Sequence, residues 1–130
     1  MFSHVFLGVT DFERALAFYG AVLGRLGVEQ RFCDREKPWA GWHSEAGARP
    51  LFVIGKPYDG DAHDAGNGQM VAFLAKHRAM VREAHAAALA HGGTNEGEPA
   101  LRPHYHADYY GAYFRDPDGN KVCVACHGPE

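Results

Sequence analysis

The chain predicts an α+β fold made of two βαβββ modules, and three observations predict it. A strand from His4 leads directly into a helix that stops at Gly24. The same strand-then-helix order returns between Met70 and Gly93 after a stretch rich in Gly and Asp. A hairpin then closes the chain around Asp116-Pro117-Asp118-Gly119-Asn120, where Pro presets the turn and Gly119 supplies the backbone conformation other residues resist. Two similar units of about half the chain each point to a duplicated architecture.

The elements follow in order. His4 to Val9 alternates, with Val5, Leu7 and Val9 on one face and His4, Phe6 and Gly8 on the other, which predicts a strand with one face packed on helices. Thr10 and Glu13 have the spacing of a capping box, and Ala15, Leu16, Tyr19, Val22 and Leu23 recur with helical period until Gly24 and Gly27 stop the helix. Val28 to Cys33, Trp39 to Ser44 and Pro50 to Gly55 read as three short strands. Lys56 to Gly68 is a linker or surface loop. Met70 to Leu74 opens the second module as a strand. Arg78 to His91 is its helix, with Met80, Val81, Ala84, Ala88 and Leu89 as the buried stripe and no Ser, Thr, Asp or Asn close before it as a cap. Thr94 to Glu98 is a short strand, Leu101 to Ala107 a loop, and Gly111 to Arg115 and Lys121 to Cys126 form the closing hairpin. Module one thus spans about 1–55, the linker 56–68 and module two 69–127, in a single domain of 130 residues.

Composition bounds the function. A hydrophobic share of 46% is enough for a packed core, and a net charge of −3 with no basic block points away from nucleic acid and anionic membranes as partners. No run approaches the roughly 18 apolar residues of a membrane span, and the N-terminus lacks a signal peptide's regions, so a soluble cytoplasmic protein is expected. Three cysteines, an odd number, suit reduced thiols. Cys123 and Cys126 form a C-x-x-C, but on a strand that spacing sends the two thiols to opposite faces.

These residues resemble a known group. His4 on the first strand, Val9-Thr10-Asp11 leading into a helix with Phe18-Tyr19 and Leu23-Gly24, Gly68 before the second module and the DPDGN turn are similar to the vicinal oxygen chelate superfamily, which includes glyoxalases, bleomycin-resistance proteins and extradiol dioxygenases. Leu101 to His106, Tyr109-Tyr110-Gly111 and the Val124 to His127 ending resemble a glyoxalase-like bacterial branch. The resemblance implies a curved mixed sheet with helices on its convex face, a symmetric homodimer, and a divalent metal on the concave face. It also implies the ligand positions: an imidazole on the first strand, a carboxylate on the last strand of module one, an imidazole opening module two and a glutamate on the final strand.

Strand parity tests that set. If Val5, Leu7, Val71, Phe73, Val122 and Val124 pack on helices, His4, Met70 and Cys123 share the opposite face. Only His4 keeps the implied residue type. Met70 replaces the second imidazole, Cys123 replaces the glutamate, and Pro50 to Gly55 offers no carboxylate. Magnesium, manganese and ferrous iron want oxygen or imidazole-carboxylate sets that these residues do not supply. His4, Met70 and Cys123 as metal ligands would form a soft set, suited to Cu(I) or another thiophilic ion; the other reading is a lapsed metal site now filled by Met70 and Cys123.

The rest of the candidate site is rich in imidazole and phenol. His104 and His106 share a face if their segment is extended, and with His4 and Tyr110 they are candidate catalytic residues. Tyr105, Tyr109 and Tyr113 would line the cavity, joined by Phe6, Met70 and Cys123 as ligand contacts. Arg102 is placed to receive a substrate carboxylate, and Trp42 to form a pocket wall with Trp39 on the other face. His43 and Glu45 share a face but read as a solvated edge, and His63, His77, His85 and His91 read as exposed. Two functions follow: a glyoxalase-like lyase or dioxygenase-related oxidoreductase acting on a small organic molecule, or a metal-free protein that sequesters such a molecule as bleomycin-resistance proteins do.

Overall fold

A computed structural model describes all 130 residues. Module one contains β1 (His4–Gly8), α1 (Phe12–Gly24), β2 (Glu29–Asp34), β3 (Trp39–His43) and β4 (Leu51–Gly55). Module two contains β5 (Val71–Leu74), α2 (Arg78–Ala90), β6 (Thr94–Leu101), β7 (Tyr110–Arg115) and β8 (Lys121–Cys126). The two βαβββ modules are therefore present. Their strands form two four-stranded sheets of the same order, β1-β4-β3-β2 and β5-β8-β7-β6, each with one parallel pair at the opening strand and antiparallel pairs beyond it.

Several local expectations are corrected. Asp11, not Thr10, caps α1: its carboxylate accepts the Arg14 amide at 3.1 Å, while the Thr10 amide donates to Asp118 Oδ1 at 3.0 Å. Starting the helix at Phe12 lets that side chain join the buried stripe with Ala15, Phe18, Tyr19, Val22 and Leu23. The strand β6 runs on to Leu101 rather than ending at Glu98, with two register shifts along its pairing to β7. Met70 precedes β5 instead of opening it.

The helix α2 has no side-chain cap at His77; the Glu130 carboxylate accepts the Arg78 amide at 2.7 Å from 52 residues away, which explains the missing local signal. On α2, Leu89 is exposed and His85 takes its place in the buried stripe. His85 Nε2 meets Asn95 Oδ1 at 2.9 Å, so its polarity is satisfied and it packs near the edge of Phe114. His63 is also not free: it lies over Gly8 and reaches Asn120.

One core of 21 buried residues serves both modules. The helix α1 links them. Its Phe18 meets Phe114 of module two edge-on at 6.0 Å, and its Tyr19 packs on Phe52 of module one at 5.0 Å. Phe52 in turn meets Phe73 edge-on at 4.9 Å, closing the core between the sheets.

The Tyr19 hydroxyl donates to buried Asp116 at 2.6 Å. Burial, and then the Asp116 charge, hold this phenol protonated well above its usual range. The native state therefore keeps a proton that the unfolded chain loses near pH 10, so this share of stability is present below pH 10 and disappears as pH rises through the raised native value. Denaturant unfolding between pH 9 and 11 should show stability falling with pH, and Tyr19→Phe should flatten that slope while costing about 1–2 kcal/mol at pH 7. An unchanged slope in the variant would refute this assignment.

Candidate functional site

Sheet register divides each strand between a helix-side face and an outer face. In module one Val5, Leu7, Ala40, Trp42, Phe52 and Ile54 pack into or against the core, so His4, Phe6, Gly8, Leu51, Val53 and Gly55 take the outer face. In module two Val71, Phe73, Val122, Val124 and Cys126 face the core; Ala72, Leu74, Lys121, Cys123 and Tyr113 face outward. Cys123 and Cys126 thus point to opposite sides, and both are free thiols.

The segment after Arg102 folds back over the outer face of module two. Gly111 makes room for it: a β-carbon there would come within 2.8 Å of the Tyr109 ring. Tyr109 consequently lies across the strands, its hydroxyl 3.0 Å from the Tyr113 hydroxyl and 3.5 Å from Cys123 Sγ. This cover leaves Cys123 with no exposed surface. Desolvation raises the Cys123 thiol above its usual value, against the pull of both phenols and of the Arg102 and Lys121 charges. Desolvation also raises Tyr109, with help from its Tyr113 and Cys123 hydrogen bonds, and it raises Tyr113. All three groups are protonated at neutral pH.

Two cations flank this network. The Arg102 guanidinium stands 5.2 Å from the centre of the Tyr113 ring and the Lys121 ammonium 5.8 Å from it. Arg102 Nη2 donates to the Glu98 carbonyl at 2.7 Å and its buried Nε has no partner. Neither cation is in an ion pair; the four in the protein join Arg14 to Asp118, Arg35 to Glu13, Arg78 to Asp108 and Arg115 to Glu96. Tyr105, largely exposed, packs at a tilt against Tyr109 with ring centres 4.9 Å apart.

Other expected site residues lie elsewhere. Tyr110 is on the helix-side face of β7, three positions from Tyr113 and so of opposite parity; Arg78 and Arg82 approach its ring at 5.5 and 5.9 Å. His104 and His106 do not act as a pair, because their segment turns rather than extends: His104 packs at a tilt against Tyr105, whereas His106 Nε2 meets His127 Nδ1 at 2.8 Å. His127 is a contact that sequence reasoning missed, since its only signal was a position just past the last strand. Trp42 is 2% exposed in the core beside Tyr19 and Phe52, while Trp39 packs on Phe32 across the sheet. His4 is exposed, with Ser3 Oγ at 3.0 Å from its Nδ1.

Two cavities lie along the seam between the modules. One, of about 600 Å³, is walled by Phe6 and Gly8 of β1, by Asn120 and Lys121 of module two and by linker residues including His63. The other, of about 520 Å³, is mostly apolar and runs past Trp42, Phe52 and β5. Met70 borders both, and His4 and Cys123 border neither.

A resident hard divalent ion does not fit the residues present. The outer faces of β1, β4, β5 and β8 carry one imidazole, one thiol and no carboxylate, and the thiol is closed beneath Tyr109 and held protonated. No three His, Cys, Asp or Glu side chains converge anywhere in the protein.

Comparison with known proteins comes from family models and solved structures. The model of the glyoxalase/bleomycin resistance protein/dioxygenase superfamily matches residues 1–124. A glyoxalase/bleomycin resistance protein from Albidiferax ferrireducens T118 is 38% identical, with a TM-score of 0.86 over 97% of this chain and 98% of that one. A glyoxalase/bleomycin resistance protein/dioxygenase family enzyme from Burkholderia phytofirmans PsJN is 19% identical, with a TM-score of 0.72 over 97% and 98% of the two chains. A lactoylglutathione lyase from Agrobacterium tumefaciens is 24% identical, with a TM-score of 0.64 over 97% and 92%. The last two show likeness of fold. No curated protein matches the chain.

Proposed function

The chain belongs to the glyoxalase/bleomycin resistance protein/dioxygenase superfamily, and on that premise we propose that it binds a small anionic aromatic molecule on the outer face of module two without a hard divalent metal. One observation carries the reading: Arg102 and Lys121, unpaired by any acid, flank a phenol network of Tyr105, Tyr109 and Tyr113 that lies over Cys123. Guanidinium and ammonium supply charge, the rings supply stacking, and protonated phenols donate to an anion.

The working form is a homodimer in this reading. Phe6, Met70 and Leu101 are large apolar side chains left 44–47% exposed, and an isologous contact would cover them. Three free thiols suit a reducing, cytoplasmic setting, and no helix is long and apolar enough to cross a membrane.

Calorimetric titration with 4-hydroxybenzoate tests the reading, alongside elemental analysis of protein purified without chelator or affinity metal. Saturable binding at far less than one metal per subunit is expected, and Arg102→Ala should weaken it by roughly ten-fold or more. Binding that needs an added divalent ion, or that ignores Arg102, would overturn it. A second reading, a lyase that moves a proton, is favoured by the Tyr109–Tyr113 hydroxyl contact. In that case Tyr113→Phe would abolish turnover while sparing affinity.

A further inference from the structure

The cavity of about 520 Å³ takes no part in the phenol site. None of Arg102, Tyr105, Tyr109, Tyr113 or Cys123 borders it. Its walls come from both modules: Val5, Trp42 and Phe52 of module one, Val71, Phe73 and Leu74 of module two, with Leu26 and Val28 from the connection between α1 and β2. Its volume falls within the roughly 300–1,000 Å³ of small-molecule sites, and such sites combine an apolar lining with a few polar groups.

The polar groups here have one sign. Besides the hydroxyl of Ser44, the only side chains around the cavity that can carry charge are His43 and Lys76, and no acid is among them. Lys76 is exposed and makes no ion pair. The His43 Nδ1 is shielded from solvent and lacks a hydrogen-bond partner, so the imidazole retains unspent capacity. An apolar cleft with basic groups at its edge complements a molecule with an apolar body and a single negative head.

We propose that this seam cleft is a second binding site, for a small amphipathic carboxylate. The apolar body lies along the floor formed by Trp42 and Phe52 of module one and Val71 and Phe73 of module two, and the carboxylate sits by His43, Ser44 and Lys76. The site is independent of the outer-face reading, since it shares none of the phenol or cation groups. Occupation would bridge the two modules at the place where no sheet hydrogen bond joins them.

The chain's two tryptophans make this testable, because Trp42 borders the cleft and Trp39 does not. In Trp39→Phe, decanoate below its micellar range should change Trp42 fluorescence saturably, with one molecule per subunit by calorimetry. Decanol should bind roughly ten-fold more weakly, as should decanoate to Lys76→Glu, whose exposed side chain leaves the fold intact. Arg102→Ala should bind decanoate normally. No saturable signal, equal binding of decanol, or loss in Arg102→Ala but not in Lys76→Glu would each overturn the proposal. The last of these would place decanoate on the phenol face and leave the outer-face reading standing.

Discussion

Asp116→Ala is expected to lower the melting temperature by roughly 10–20 °C, equivalent to about 3–5 kcal/mol. Asp116 is 3% exposed and its two oxygens accept four hydrogen bonds. Oδ1 takes the amides of Asp118 and Asn120, each at 2.9 Å; Oδ2 takes the Tyr19 hydroxyl at 2.6 Å and Asn120 Nδ2 at 2.9 Å. The same Asn120 amide donates to the Gly8 carbonyl at 3.0 Å, leaving Oδ1 to accept from His63 Nε2. One carboxylate thus ties the closing turn to α1 and, through Asn120, to the end of β1 and to the linker. Alanine would leave the Tyr19 hydroxyl and the Asp118 and Asn120 backbone amides without an acceptor in or near the core, and the cost of orphaned buried donors exceeds the worth of the bonds themselves. Asp108→Ala, which loses only a 4.0 Å surface contact to Arg78, should stay within about 0.5 kcal/mol of the parent. A loss at Asp116 no larger than at Asp108 would refute the network's role.

This network also marks where the sequence stopped being legible. Period-2 alternation in VAFL and KVCVAC and helical period in α1 were strong local signals, because one face of each element is buried and the other is not. The DPDGN turn was equally plain as a turn. Nothing local said that its aspartate would bond Tyr19 from 97 positions away, or that Glu130 would cap α2. Tertiary partners of that kind leave no spacing to read.

The site shows the same division. Parity correctly sent Cys123 away from the helices and separated it from Cys126, a consequence of strand geometry alone. Tyr110 and Tyr113 were grouped because they are close in sequence, yet an odd separation on β7 puts them on opposite faces. Trp42 does wall a cavity, but parity puts it on the helix side, beside Tyr19 and along the seam cleft, rather than on the outer face with the phenols. The cover that Tyr109 makes over Cys123 depends on the absence of a side chain at Gly111, a close approach that appears only when the loop has folded back. Lys121 was a strand-end lysine in the sequence; its place beside Tyr113 opposite Arg102 makes it part of a cation pair.

The largest change expected at the site itself comes from Cys123→Glu. Cys123 is fully buried beneath Tyr109, so glutamate must either displace that ring or bury a carboxylate in its place. The Arg102 and Lys121 charges that reach Cys123 would offset part of the penalty, leaving a net loss of about 2–4 kcal/mol by denaturant unfolding. The added carboxylate alone should not bring a metal. Combining it with Met70→His supplies, with His4, two imidazoles and a carboxylate, a set that suits ferrous iron or manganese. In this chain Met70 borders both seam cavities while His4 and Cys123 border neither, so the three positions do not open onto one space. The double variant is therefore expected to be less stable and still to hold much less than one iron or manganese per subunit after reloading and desalting. Stoichiometric, tight loading would show that the outer faces meet around an ion after all, as they would if a second copy brought its His4 to this glutamate, and would reverse the reading of the pocket as metal-free.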